Sequence, residues 1–342
     1  MPRKLVCVGK EELEWQVYED PDLGGREVRV RAQFAAAKHG TEMAFFKGYA
    51  GARGVYDPEY QVFRRDVERG GLYPFHVGNM MVGEVEAVGP EVSRVEVGDR
   101  VCVYSPFRET CVVKEDACWK MSPDMSWKSA VCLDPADFAL GAVRDGHVRV
   151  GDAVAVFGLG AIGLMAVQFA KLAGADPVIG VEPLSNRRYV AEELGVDLAL
   201  DPTACDAGLE IKRATETRGV DVAVDYSGAK EAVQQALRGV AYGGNVVLGS
   251  FPAPYGPGLD LGAESHINVP NVIFSRACSE PNREYPRWDN DRIYAVCWRL
   301  LCKGAISGEL VVQPVVAFDE LLEEYPRVAT HAENGVKLGV RY

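Results

Sequence analysis

The chain has 342 residues, 48% of them hydrophobic and 25% charged, with 49 acidic against 37 basic side chains and a formal net charge of -12. That balance excludes a nucleic-acid binder, whose affinity comes from clustered Lys and Arg, and opposes an anionic membrane surface. The length exceeds what one hydrophobic core serves, so two domains are expected.

The first fifteen residues, through Trp15, hold too short an apolar run for a secretion signal and alternate like a first strand. No later window is apolar for long enough to cross a bilayer, so a cytoplasmic protein is expected. Nine cysteines without a C-x-x-C pair fit scattered reduced thiols better than a disulfide framework or a zinc knuckle. Glu27 to Ala37 alternates apolar and polar residues as a half-buried strand does. Gly83 to Val88 and Arg100 to Tyr104 continue a β-rich region punctuated by turns at Gly89-Pro90 and Gly98-Asp99. Between His39 and Gly78 no period is legible, and a loop of that length is expected to be functional or a lid. Its aromatics Phe46, Tyr49, Tyr56, Tyr60 and Phe63 either face a ring-shaped ligand or pack the loop itself.

From about Trp127 helices and strands alternate. Strands are expected at Ala153 to Phe157, Pro177 to Val181, Asp221 to Asp225, Asn245 to Gly249 and Asn271 to Ala277, with helices at Ala161 to Ala173 and Ser185 to Leu194. Such alternation predicts a parallel sheet with helices on both faces. After Ser279 the alternation breaks. A helix from about Asp291 to Cys302 and a short strand near Leu310 to Val316 follow, and the polar segment Asn282 to Asp291 is expected to border a ligand cleft.

The stretch Ala153 to Gly163 reads AVAVFGLGAIG, an apolar strand running into glycines at 158, 160 and 163 and then a helix. G-x-G-x-x-G in that context is a dinucleotide-binding signature: a tight turn, a close approach to the pyrophosphate, and close helix–strand packing. The turn residues Gly158, Leu159, Gly160, Ala161, Ile162 and Gly163 would lie against the phosphates at a helix N-terminus. Glu182 closes the next strand, where a ribose-binding carboxylate is expected, so NAD is the expected cofactor. Arg187, on the following helix, would bind a phosphate, stack on adenine or face solvent. Ligands bind such sheets at the carboxyl ends of the strands, which adds Ser227, Gly228, Leu248 and Gly249 to the expected cofactor site.

A β-rich first part with G-E-V-x-x-V-G (Gly83 to Gly89) and V-G-D-R-V (Val97 to Val101), the central GLGAIG, and the closing GVKLGVRY together resemble the medium-chain dehydrogenase/reductase superfamily over nearly the whole chain. The resemblance implies an α/β protein with an N-terminal GroES-like β-rich catalytic domain (1–137), a Rossmann doubly wound parallel sheet (138–279) and a C-terminal return to the catalytic domain (280–342). It also implies a homodimer or tetramer, with the sheet edge at Val272 to Ser275 as candidate interface.

The chain departs from the zinc-bearing members at each ligand position. His39-Gly40-Thr41-Glu42 replaces C-G-[ST]-D, Gly78-Asn79-Met80 replaces G-H-E, and Asp134 of LDP stands at the third position. The four-cysteine loop is missing between Val101 and Cys111. Asn is a poor zinc ligand, so no bound metal is expected, and the pattern resembles the zinc-less branch.

Without zinc, the protein must orient a small-molecule substrate and move one proton. Thr41 matches the family's relay hydroxyl. His39, two residues away, would share its face in an extended segment and has a pKa suited to exchange near neutrality; as a satisfied polar residue at a strand end it would be structural instead. Asp134 either orients His39 or caps a helix, and Lys38 either stabilises an oxyanion or is solvated. The expected activity is an NAD-dependent interconversion of a secondary alcohol, of polyol or sugar type, and a ketone. The alternatives are an NADPH-dependent quinone or enone reductase and a non-catalytic cofactor binder.

Overall fold

The computed structural model describes residues 1–50, 54–67 and 71–342, and of His39 the backbone alone. The chain divides into two compact units, Met1–Pro123 with Gln313–Tyr342, and Asp124–Val312.

The first unit is built from β1 (Arg3–Gly9), β2 (Glu12–Val17), β3 (Glu27–Ala36), α1 (His39–Phe46), β4 (Val55–Asp57), β5 (Val62–Arg64), β6 (Phe75–His76), β7 (Met80–Val88), β8 (Arg100–Tyr104), β9 (Thr110–Lys114) and β10 (Trp119–Lys120). β3 is its spine: Val28 and Val30 turn inward while Glu27, Arg29 and Arg31 remain at least partly exposed, as a period of two requires. β3 pairs antiparallel with both β7 and β9. Only residues 105–109 separate β8 from β9, which leaves no room for a four-cysteine loop. Glu115 lies just beyond β9. Its carboxylate accepts from the amides of Ser93 and Arg94 and from Arg26, and these bonds hold it well below the usual carboxylate range, at about 2.

The second unit contains α2 (Trp127–Ala130), α3 (Leu133–Asp145), β11 (Val154–Phe157), α4 (Ala161–Leu172), β12 (Val178–Val181), α5 (Ser185–Glu193), β13 (Leu198–Leu200), α6 (Ala207–Ala214), β14 (Val220–Asp225), α7 (Lys230–Gly239), β15 (Val240–Leu248), α8 (Glu264–Asn268), β16 (Asn271–Phe274) and α9 (Asn290–Cys302). Its six strands are all parallel, in the order β13-β12-β11-β14-β15-β16. β11 and β12 are buried at every position because helices cover both faces of the sheet. The order in which strands are added reverses between β11 and β14, so the crevice outside their carboxyl ends is the natural ligand position.

The chain then returns to the first unit with β17 (Val312–Ala317), α10 (Leu321–Thr330) and β18 (Lys337–Arg341). β18 pairs with β3 and completes a seven-stranded sheet. α10 lays Tyr325 and Leu321 into a core with Leu5, Phe46, Phe107 and Leu338.

The fold corrects the sequence reading at several points. The stretch from His39 to Gly78 is not one loop: it opens with α1 and carries the β4–β5 hairpin, where Tyr56 and Phe63 meet edge to face across the strands. A first-turn Glu42 fixed by distant side chains stabilises α1, which composition alone does not reveal. The sheet gains the three-residue β13, too short for a legible alternation, while β16 ends at Phe274 rather than Ala277. Within the C-terminal return expected over 280–342, helix α10 went unread. α10 contains Pro326, which reads as a helix breaker, yet buried Leu321, Tyr325 and Val328 hold it in place.

Candidate active site

The glycine turn after β11 is as tight as its spacing implies. Gly158 has φ of +82°, and a Cβ there would lie 2.5 Å from the Ser227 amide nitrogen. A Cβ on Gly163 would lie 2.0 Å from the Gly158 carbonyl oxygen, so the first turn of α4 presses directly on the loop. Gly160 is the N-cap of α4 with no side chain to cap it, and the free amides of that helix end face the crevice with their positive dipole. Ala161 and Ile162 open the helix. Leu159 is fully buried against the Gly180 position, so it offers the crevice backbone and no side chain.

Glu182 follows β12 and is 4% exposed. Its Oε2 accepts from the Leu159 amide at 2.8 Å and its Oε1 from the Leu184 amide at 3.2 Å, which ties the carboxylate to the glycine turn. The Arg187 guanidinium lies 3.9 Å from Glu182 and 3.9 Å from where a Gly160 Cβ would be. Burial pulls the Arg187 pKa down and the Glu182 charge pushes it back up. Arg188 turns elsewhere: it donates to the Glu182 and Pro183 carbonyls and pairs with Asp201.

At the end of β14 the fully buried Asp225 accepts from the Ser227 amide at 3.0 Å, from Ser227 Oγ at 2.5 Å and from Ser250 Oγ at 3.4 Å. Burial raises its pKa, and these donors lower it in part. Asp225 thereby joins the loops after β14 and β15. Leu248 ends β15, Gly249 donates to the Asp225 carbonyl, and Gly228 has φ of +69°. All twelve expected cofactor residues thus stand at the carboxyl-end edge of the sheet, in the turns that leave it, or in the first turn of α4 and α5. Asp225 and Ser250 were missed; the acid directly before Y-S-G was the signal for the first, and nothing marked the second.

The residues expected to move a proton are arranged differently from the sequence reading. His39, Gly40 and Thr41 form the first turn of α1, where neighbours two apart point about 200° away from each other. A shared face for His39 and Thr41 in an extended segment is therefore incorrect. Thr41 is half-buried, Lys38 is the N-cap residue, and the His39 imidazole lies outside the described residues. Asp134 is the second residue of α3 in the other compact unit, 3% exposed, and the N-cap there is Cys132.

Two groups near Thr41 went unrecognised in the sequence. Glu42 is 8% exposed: Oε2 accepts from the Gly78 amide at 3.0 Å, and Oε1 accepts a short hydrogen bond from Tyr325. Burial pushes it up to about 7 against the opposing pull of Tyr325, Gly78, Lys38 and Lys337. Lys337 is 2% exposed and donates from Nζ to the Ala37 carbonyl at 2.5 Å. Beside them, Asn79 Nδ2 is buried and finds no hydrogen-bond partner among the described residues. Among the described residues no three His, Cys, Asp or Glu side chains gather as cation ligands.

The fold and the crevice together define a dinucleotide-binding dehydrogenase. The family model described as Alcohol dehydrogenase GroES-like domain matches residues 26–146, and the one described as Zinc-binding dehydrogenase matches residues 161–278. The chain belongs to the medium-chain dehydrogenase/reductase superfamily. It is 42% identical over 352 aligned positions to D-guloside 3-dehydrogenase of Escherichia coli strain K12, covering 99% of this chain and 100% of that one. It is 28% identical over 295 positions to (R,R)-butanediol dehydrogenase of Bacillus subtilis strain 168, covering 78% and 81% of the two chains. The crystal structure of 2R,3R-butanediol dehydrogenase from Bacillus subtilis superposes with a TM-score of 0.80 at 23% identity over the full length of both chains. No described helix is long and apolar enough to cross a membrane.

Proposed function

We propose that this protein interconverts a secondary alcohol of a polyol or sugar-like molecule and the corresponding ketone, using NAD(H) and no catalytic zinc. The observation that carries the cofactor reading is Glu182, a buried carboxylate fixed by the Leu159 amide at the mouth of the glycine turn. There it accepts hydrogen bonds from ribose hydroxyls and repels a 2′-phosphate. The substrate class is supported by the two relatives, whose names specify a 3-dehydrogenase acting on a guloside and a dehydrogenase of a diol with secondary carbinols.

The donor chemistry does not fit zinc. Asn79 stands where zinc-bearing members of the family place a histidine, and an amide is a poor ligand for that ion. The buried carboxylate Glu42 is already engaged by Tyr325 and Gly78. The nicotinamide, when bound, supplies the hydride acceptor. The chain then has to hold the carbinol and take one proton. Thr41 Oγ1 accepts the substrate hydroxyl proton while releasing its own to solvent water, a relay open to a group that both donates and accepts. The amides at the N-terminus of α4 hold the pyrophosphate, and Asp225 sets the Ser227 and Ser250 loops at the crevice. The sheet edge at Val272 to Ser275, with Phe274 72% exposed, is the proposed contact of a homodimer or of a tetramer built from it.

A scan of polyols, glycosides and enones with both cofactors, followed at the reduced-nicotinamide absorbance, tests the reading. Turnover of secondary alcohols with NAD is expected. Activity confined to enones with NADPH would replace this reading, and tight cofactor binding with no turnover of any substrate would make the protein a binder.

A further inference from the structure

Under the first turn of α1 the protein buries two opposite charges that the proton transfer just described does not use. α1 is only eight residues long, and its N-cap residue, Lys38, supplies no side-chain hydrogen bond. A helix so short and uncapped does not hold its own position. The contacts around it do. Lys337 Nζ grips the Ala37 carbonyl immediately upstream, at 2.5 Å. The Glu42 carboxylate binds the Gly78 amide on the segment leading to β7, receives the Tyr325 hydroxyl from α10, and takes a hydrogen bond from the Lys38 amide. Tyr325 is itself held edge to face by Phe46 and Phe107. Thr41 therefore sits on a turn fastened by four hydrogen bonds, three of them made by one carboxylate.

We propose that Glu42 and Lys337 are the positioning residues of the catalytic turn, holding the Thr41 hydroxyl in place while Glu42 is ionised and releasing it when Glu42 takes up a proton. The inference rests on Thr41 being the reacting hydroxyl. Among the described residues, the ionisable groups facing Glu42 are Tyr325 from α10, Lys337 from β18, Cys7 from β1 and Lys38 ahead of its own helix. Burial holds the Cys7 thiol at about 11 and the Tyr325 phenol well above its usual value, so both are neutral wherever the enzyme would work. Glu42, raised by burial to about 7, changes charge near neutrality. On protonation it becomes a donor, and a carboxylic acid can no longer accept equally from Gly78, Lys38 and Tyr325.

The test compares pH–rate profiles of the parent, Glu42→Gln, Tyr325→Phe and His39→Gln. Glu42→Gln is expected to lower kcat at pH 8 by about tenfold to a hundredfold, the size of a small misplacement of a reacting group. Its acidic limb should vanish, and the KM for the cofactor should stay within about twofold because the dinucleotide is held by the other compact unit. Tyr325→Phe keeps the ring contacts and removes a donor to the carboxylate, so its acidic limb is expected to move up by roughly half to one pH unit; this arm serves if Glu42→Gln fails to fold. His39→Gln should leave the limb in place. Infrared spectroscopy supplies a readout independent of turnover: a protonated-carboxyl band growing as pH falls through about 7 and missing from Glu42→Gln. A parent limb kept unchanged in Tyr325→Phe, or lost in His39→Gln, would overturn the proposal, as would a missing infrared titration. A parent inactive on every alcohol but showing the band would instead overturn the dehydrogenase reading and leave the buried titration standing.

Discussion

Replacing Glu182 by alanine removes one carboxylate with two duties, and the structure lets the two be separated. The first duty is structural: the buried Leu159 amide loses its acceptor at 2.8 Å and the half-buried Leu184 amide loses one at 3.2 Å. An unpaired buried donor costs about 1–3 kcal/mol, and the Leu184 amide, nearer water, costs less. The second duty is the proposed one, toward the cofactor. Hydrogen bonds from ribose hydroxyls to a charged acceptor contribute about 1.5–3 kcal/mol each, so losing one should raise the NAD dissociation constant by about 10- to 10²-fold. NADP should weaken far less, because the like-charge repulsion of its 2′-phosphate disappears at the same time and Arg187 remains 3.9 Å away from the vacated position. Calorimetric titration with NADH and NADPH, well below the melting temperature of the variant, reads the cofactor effect; thermal unfolding without cofactor reads the structural one. Equal efficiency of the parent with both cofactors would refute the assignment. So would an alanine variant that keeps its preference while losing stability, which would leave Glu182 only the structural duty.

Gly163→Ala places a methyl 2.0 Å from the Gly158 carbonyl oxygen, so the turn must open; cofactor affinity should fall at least tenfold, with a stability loss of about 1–3 kcal/mol, checked by titration and thermal unfolding. Thr41→Val keeps the volume and removes the hydroxyl, and should lower kcat by about 10²-fold or more with cofactor affinity unchanged; turnover within a few-fold of the parent would end the relay role. Purified protein should carry far less than one zinc per chain by elemental analysis, and activity should survive a strong chelator. Because the folded protein binds the Glu42 proton more tightly than the unfolded chain does, the stability Glu42 contributes is present at and below about pH 4.5 and is lost as pH rises through about 7. The difference in unfolding free energy between the parent and Glu42→Gln should therefore drift against the parent by about 3 kcal/mol between pH 4.5 and 8; a constant difference would show that burial leaves this carboxyl unperturbed.

Local pattern was enough to determine the parallel sheet. Strands such as Val154–Phe157 show as continuous apolar runs and helices such as Ala161–Leu172 follow them in a repeating order, and the glycine spacing encodes a backbone constraint that only missing side chains satisfy. The place of Glu182 beside the glycine turn was legible for the same reason, since it follows from its distance beyond the glycines. What the sequence could not show was decided by partners far away along the chain. His39–Phe46 has no amphipathic stripe of its own. It is held as a helix by Tyr325, 283 residues beyond Glu42, and by Lys337, 300 residues beyond Ala37. The motif T-E looks like a relay hydroxyl followed by an ordinary surface acid. Only the closing strand and α10, folding back onto β3, desolvate that acid and turn it into a group that titrates near neutrality, because burial disfavours charge by an amount no local pattern encodes.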